Sequence, residues 1–293
     1  MPELPEVEAL ARFLSDQAGG RTVERAELAA FSALKTFDPP LSALVGRTLT
    51  GVGRRGKFLV FDLAAGSGGP EPLALVLHLA RGGWVRWSAT LPAKPARPGK
   101  GPLALRVAFD GGAGFDVTEA GTEKRLALYV VRSPDDVEGV SRLGPDPLGA
   151  AFDAPALGAA LASHGGQLKA ALVSQSALAG VGNAYSDDAL HLARLSPFKP
   201  AAKLTDDEVQ RLHAALLQVL ADALARSTGR PASELKDEKR SGMRVHGRTG
   251  LPCPECGDTV REVSFATKSL QYCATCQTGG KPLADRRLSR LLK

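Results

Sequence analysis

The sequence predicts an α+β protein: an N-terminal helix with a β-sandwich domain, then a helical region, then a metal-stapled β-hairpin at the C-terminal end. Three observations carry that reading. Residues 3–18 repeat their apolar side chains at helical spacing, residues 22–131 break into short apolar runs, and four cysteines fall as two C-x₂-C pairs near the end of the chain. With 293 residues and 44% hydrophobic content, the chain is long enough for two domains with cores of their own.

In the first segment Leu4, Val7, Leu10, Ala11 and Leu14 share one helical face, and Gly19-Gly20 stop the run. Pro5 fits there, because a first-turn N–H has no intrahelical acceptor to lose. Apolar runs at 58–63, 73–79, 84–87, 103–109 and 126–131 are expected as strands of a sandwich or barrel-like domain. The Pro/Lys/Gly-rich stretch 91–102 reads as a loop. Residues 133–149 hold three prolines and four acidic residues, the composition of an interdomain linker. Beyond them, helices are expected at 167–175 and 184–193, flanking Leu178-Ala-Gly-Val-Gly-Asn183. Thr205-Asp-Asp-Glu208 is a capping box that opens a helix through residue 225, with Val209, Leu212, Leu216, Leu217 and Leu220 on its apolar face. The expected division is 1–133, a linker at 134–149, a helical domain at 150–245 and a finger with a basic tail at 246–293.

The charge is unevenly placed. Residues 227–293 hold thirteen Lys/Arg and seven Asp/Glu, a surplus equal to the +6 of the whole chain. A basic end beside a balanced body points to a polyanion partner, usually nucleic acid; on charge alone a solvated basic tail reads equally well. The opening Met1-Pro-Glu-Leu-Pro-Glu-Val-Glu8 is acidic where a secretory segment is basic. The longest apolar stretch, 73–79, is far short of the ~20 residues that span a bilayer. The expectation is therefore a cytoplasmic, monomeric protein with no membrane partner.

Cys253-Pro-Glu-Cys256 and Cys273-Ala-Thr-Cys276 are separated by sixteen residues. Each pair makes a knuckle presenting two thiolates, and four of them suit one tetrahedral zinc. Expected strands at 259–265 and 269–272 would make the metal staple a hairpin. Four protein ligands leave no open position, so this zinc is structural. A finger of this kind need not touch DNA, and its spacing alone does not say that it does.

The N-terminus carries the other chemical signal. A Met followed by Pro is ordinarily trimmed, exposing Pro2 as a secondary amine. Such an amine attacks an aldehyde carbon and gives a charged iminium, an electron sink that makes the sugar C2′ proton labile and permits elimination of the 3′ phosphate. An α-amino group titrates near ~8 in model compounds, so a useful fraction is neutral and nucleophilic. Glu3 is placed to act as acid or base. Taken alone, Met-Pro-Glu is weak evidence and is better explained by the preference of helix starts for Pro and Glu.

In combination the motifs are specific. Met1-Pro-Glu-Leu-Pro-Glu-Val-Glu8, Gly56-Lys57-Phe58, Gly180-Val-Gly-Asn183-Ala-Tyr185 and the four-cysteine finger occur in one order along essentially the whole chain. The chain resembles the formamidopyrimidine-DNA glycosylase/endonuclease VIII family. The resemblance implies an N-terminal helix on a β-sandwich, a helix–two-turn–helix domain and a zinc-finger hairpin, with damaged double-stranded DNA bound in the cleft between. It implies Pro2 as the Schiff-base nucleophile and Glu3 as acid/base. Lys57 matches the lysine that meets phosphate and assists β-elimination, Asn183 matches a phosphate-binding asparagine, and Lys169 falls where the family has a DNA-contacting lysine.

Departures from the family pattern lie in the lesion-reading half. Lys268 stands five residues before the third cysteine, where the family's catalytic finger residue is arginine. His78-Leu-Ala-Arg81 supplies Arg81 where glycosylases for oxidised guanine place a void-filling methionine. Residues 116–125, ending at Arg125, replace the family's second wedge and contain no aromatic. A histidine carried by many members near Lys100-Gly-Pro102 is also absent. The expectation is a bifunctional DNA glycosylase/AP lyase acting by β-elimination or β,δ-elimination. Catalysis is assigned to Pro2, Glu3, Lys57 and Lys268, and DNA contact to His78, Arg81, Arg125, Lys169 and Asn183. An AP-site lyase with little base excision and a non-catalytic sensor of damaged DNA are the rival readings.

Overall fold

The computed structural model describes all residues except 67–70, 100, 236–238, 240–241, 266–268 and 285–293. The chain divides into two compact units, 1–142 with 227–236, and 143–226 with 237–293.

The first unit begins with α1 (Leu4–Ala18), in which Glu3 and Glu6 form a capping box and Gly19 closes the C-terminus. Leu4, Leu10 and Leu14 are fully buried, each worth about 1.5–3 kcal/mol of transfer free energy. The helix packs on one of two antiparallel sheets. That sheet has the order β2 (Leu49–Arg55), β3 (Phe58–Leu63), β4 (Leu73–His78), β8 (Ala127–Val131). The other runs β1 (Val23–Leu28), β6 (Leu103–Phe109), β7 (Gly114–Glu119), β5 (Gly83–Ser88). Between them Phe61 of β3 stacks on Phe115 of β7, centroids 5.0 Å apart. β3 packs against α1 as well as the opposite sheet, which is why its sequence is a nearly unbroken apolar run. All five expected strands form, whereas β1, β2 and β7 go beyond them. The stretch 116–125 is thus a strand through Glu119 and a connection only after it.

Arg54 Nε of β2 pairs with Glu8 Oε2 at 2.9 Å, and Val52 N donates to Ser15 Oγ at 3.4 Å. Contacts ascend α1 as they descend β2, so helix and strand run in opposite directions. Residues 2 and 3 therefore sit at the end of the unit where β2 turns into β3. The stretch after β8 holds a 3₁₀ turn at Pro134–Asp136 and α2 (Glu138–Ser141), with Val137 and Val140 buried. From the later segment, the carbonyl of Ala232 accepts the indole N–H of Trp84 at 2.8 Å.

The second unit contains α3 (Ala154–Ala162), α4 (Leu168–Val173), α5 (Asn183–Leu192) and α6 (Asp206–Ser227). The expected capping box at Thr205 is present: its N–H donates to Glu208 Oε2 at 2.9 Å, and Glu208 N to its hydroxyl at 3.3 Å. The hairpin β9 (Val260–Ser264) and β10 (Ser269–Cys273) follows, then the short α7 (Ala274–Thr278). No described helix is long and apolar enough to cross a membrane.

Candidate active site and zinc centre

At the start of α1, Pro2 and Glu3 are both buried. The Glu3 carboxylate accepts the Glu6 N–H, and Glu3 N donates to Glu6 Oε2 at 2.7 Å. These reciprocal bonds fix the backbone that carries Pro2, and the positive end of the helix dipole faces the Glu3 carboxylate. Lys57 occupies the two-residue β2–β3 turn, where Gly56 takes φ +55°. Glycine in the first turn position is what a tight hairpin with positive φ requires. The Lys57 side chain is 6% exposed, a carefully enclosed cation rather than a solvated strand-edge charge.

His78, at the end of β4, pairs across the sheet with Phe58, their rings 4.8 Å apart. Burial first, and then the positive charge of Lys57, hold its pKa below the ordinary histidine value, so the ring is neutral at neutral pH. Arg81 is exposed in the β4–β5 turn, after Ala80 with φ +49°. Arg125 is exposed and paired with Glu123 at 3.0 Å. The two connections are bound together: Ala120 N donates to Gly82 O at 3.0 Å. Buried Glu119 organises the second one by accepting the N–H groups of Arg125 and Leu126 at 2.7 and 2.9 Å. Strand pairing places the β2–β3 turn, the β4–β5 turn and the β7–β8 connection at one end of the first unit, and the Arg54–Glu8 and Val52–Ser15 contacts bring the start of α1 to the same end. Pro2, Glu3, Lys57, His78, Arg81 and Arg125 thus share that end.

In the second unit Gly182 caps α5 and Asn183 opens it, half-buried. Gly180 takes φ +82°, and its N–H donates to Gln175 Oε1 at 3.0 Å, so the bend before the helix is held by a side chain. Lys169 is enclosed rather than presented. Its Nζ donates to Asn183 O at 2.8 Å, Ser186 Oγ at 2.7 Å and Asp187 Oδ1 at 2.5 Å. A phosphate contact from this lysine has to compete with those three acceptors.

The four cysteine Sγ atoms lie within 4.8 Å of one another, with Cys253–Cys276 at 3.9 Å and Cys256–Cys273 at 3.4 Å. Tetrahedral zinc–thiolate bonds of about 2.3 Å require sulfur separations of about 3.8 Å, so the cluster fits one structural zinc. Burial pushes the Cys273 thiol up to about 11 and Cys276 up as well, so a cation at the centre is what keeps them as thiolates. His191 Nε2 lies 3.1 Å from Cys253 Sγ. Burial, and then Arg244, push this imidazole down to about 4, so it is neutral.

Sequence reasoning missed Glu119, Asp187, Asp188 and His191, all four except the histidine being buried carboxylates. A signal existed for three of them: Asp187 and Asp188 lie four and three residues before His191 on one predicted helix, a polar seam among apolar residues. Lys268 lies outside the described residues.

Comparison with known proteins matches residues 1–122 to the formamidopyrimidine-DNA glycosylase N-terminal domain. Residues 143–233 match the formamidopyrimidine-DNA glycosylase H2TH domain, and 250–279 the zinc finger found in FPG and IleRS. An uncharacterized formamidopyrimidine-DNA glycosylase-like protein of Mycobacterium tuberculosis is 60% identical over 151 residues, 52% of this chain and 94% of that one. The formamidopyrimidine-DNA glycosylase of Thermus thermophilus is 36% identical over 293 residues, 96% of this chain and 100% of that one. The structure of Lactococcus lactis Fpg in complex with an abasic site containing DNA is 26% identical, with a TM-score of 0.80 over 94% of this chain and 99% of that one.

Proposed function

Because the chain belongs to the formamidopyrimidine-DNA glycosylase family, we propose that it excises a damaged base from double-stranded DNA and then cleaves the strand at the abasic site. Removal of Met1 frees the Pro2 nitrogen. Its lone pair attacks C1′ while the N-glycosidic bond breaks and the base leaves with the bonding pair, taking a proton from water. The N–H proton released as the amine becomes an iminium passes through the Glu3 carboxylate to the sugar ring oxygen as the C1′–O4′ bond opens. The ring-opened iminium then draws electrons from the C2′–H bond, the proton leaves, and the 3′ phosphate departs by β-elimination. Lys57 neutralises phosphate charge near the reacting sugar. Asn183 and the backbone N–H groups at the start of α5 hold a flanking phosphate. Zinc contributes folding of the hairpin and no step of the reaction.

The observation that carries this reading is the gathering of Pro2, Glu3, Lys57 and neutral His78 at one end of the first unit. Binding alone needs neither a proline amine nor a carboxylate fixed beside it. Relatives crystallised with DNA containing an abasic site support the same partner class. Exposed Arg81, and a β7–β8 connection without an aromatic, favour a second emphasis: strong AP lyase activity with weak base discrimination. Arginine stacks on bases but adds a charge that prefers phosphate.

An oligonucleotide panel tests both halves. The wild type should cleave an abasic site better than 8-oxoguanine opposite cytosine. Glu3→Gln should lose base excision while retaining much of the cleavage at a preformed abasic site, where no base has to leave. Efficient, cytosine-dependent 8-oxoguanine excision by the wild type would overturn the assignment at Arg81. Equal loss of both activities in Glu3→Gln would overturn the assignment at Glu3.

A further inference from the structure

α5 takes part in two structures at once. Its first turn carries Asn183, and its other end meets the cysteine cluster through His191. Buried polar side chains span the distance between them. Lys169 joins the Asn183 carbonyl to Asp187, whose second oxygen lies 2.7 Å from His246 Nδ1. Asp188 accepts the N–H groups of Arg244, Val245 and His246 at 2.7, 3.0 and 3.1 Å. Arg244 Nε donates to His191 Nδ1 at 3.5 Å, which puts the ring proton on Nε2, aimed at Cys253 Sγ. Gln277 adds a second tie, donating to Leu195 O at 2.9 Å and accepting Cys273 N at 2.9 Å. Burying this many polar groups is costly unless each is bonded, so the network holds as a set or loosens as a set.

We propose that His191 is a positioning residue that couples the zinc centre to the Asn183 turn, so that the turn is ordered when the metal is held. The Nε2–H···Sγ bond draws charge from the Cys253 thiolate and clamps its knuckle against α5. Segment 244–246, gripped by Asp188, transmits that clamp to α5, and Asp187 with Lys169 carries it to the turn. The proposal rests on the reading above only in treating the Asn183 turn as a phosphate site.

The test uses the full chain without DNA. Zinc extraction by a chelator should raise hydrogen exchange at amides 180–186 together with the hairpin, while β3 and β4 of the first unit stay protected. Retained protection at 180–186 overturns the coupling. Zinc affinity, read by competition with a chromogenic chelator, should fall by about 10- to 100-fold in His191→Phe, the range typical for loss of an outer hydrogen bond to a metal ligand. In cobalt-substituted protein, the same change should move the sulfur-to-cobalt charge-transfer band to lower energy, because the lost bond had stabilised the sulfur lone pairs. His191→Gln, whose amide N–H replaces Nε2–H, should restore both. Identical behaviour of the Phe and Gln variants would show that His191 only fills space. A protein inert on every DNA substrate would leave the exchange result unchanged, so the two readings fail separately.

Discussion

His78 faces a phenyl ring and a lysine, and its proton affinity follows from them. Burial and the Lys57 charge keep its folded pKa below the 6.5 of a free imidazole. The unfolded chain therefore takes up a proton near pH 6.5 that the folded chain refuses until lower pH. Its contribution is fully present above pH 6.5 and is lost as the pH falls through the interval below it. His78→Gln should flatten that part of the stability curve, read as urea midpoints from about pH 7.5 to about pH 5. A slope identical to that of the wild type would mean that His78 is not held neutral by its surroundings. Single residues were unequally legible in the sequence. The cysteines announce themselves by spacing, because their chemistry is local, whereas Pro2 and Glu3 become legible only together with Gly56-Lys57-Phe58, Gly180-Val-Gly-Asn183 and the finger. Glu119 and His191 do not: Glu119 meets N–H groups on a connection after its own strand, and His191 meets a cysteine sixty-two positions away.

Elements matter here through how closely their ends approach. A Cβ on Gly82 would lie 2.2 Å from the Ala120 carbonyl oxygen, so the β4–β5 turn and the β7–β8 connection touch backbone to backbone. Gly82→Ala must push them apart and should cost about 1–3 kcal/mol, the usual range for overpacking. It should also impair base excision, because Arg81 moves relative to Arg125. Gly51→Ala, with nothing within 4 Å of the added carbon, serves as the control and should stay within about 0.5 kcal/mol. Equal urea midpoints for the two variants would contradict the close approach. The apolar strands β3, β4 and β6 were readable because each buries most of its positions. β1 and β2 were not, since Val23–Leu28 is half charged and Leu49–Arg55 contains two glycines; partners across the sheet decide them.

On the scale of the whole molecule, stability is divided between a sandwich with an apolar core and a hairpin that depends on metal. The hairpin and the segments beside it bury two small clusters among the described residues, Val245, Cys253, Val260 and Cys273, and Val263, Leu270, Tyr272 and Ala274. Those are too few to fold the segment unaided. Cys273→Ser should release the zinc and abolish DNA binding, while the first unit still melts cooperatively; simultaneous loss of that transition would contradict the division. Sequence order gave the succession of helix, sandwich, helices and finger, since each differs in periodicity. It could not give the return of residues 227–236 to the first unit, where Ala232 and Leu235 are buried and the Ala232 carbonyl accepts the Trp84 indole N–H from more than a hundred positions away. The central claim is that the amine of Pro2 forms a covalent bond with the sugar. Borohydride trapping on DNA containing an abasic site tests it, using full-length protein with Met1 removed and the same protein with Met1 retained. The account predicts a trapped protein–DNA complex from the first and none from the second. Equal trapping by both, or none by the form with a free Pro2, would contradict it.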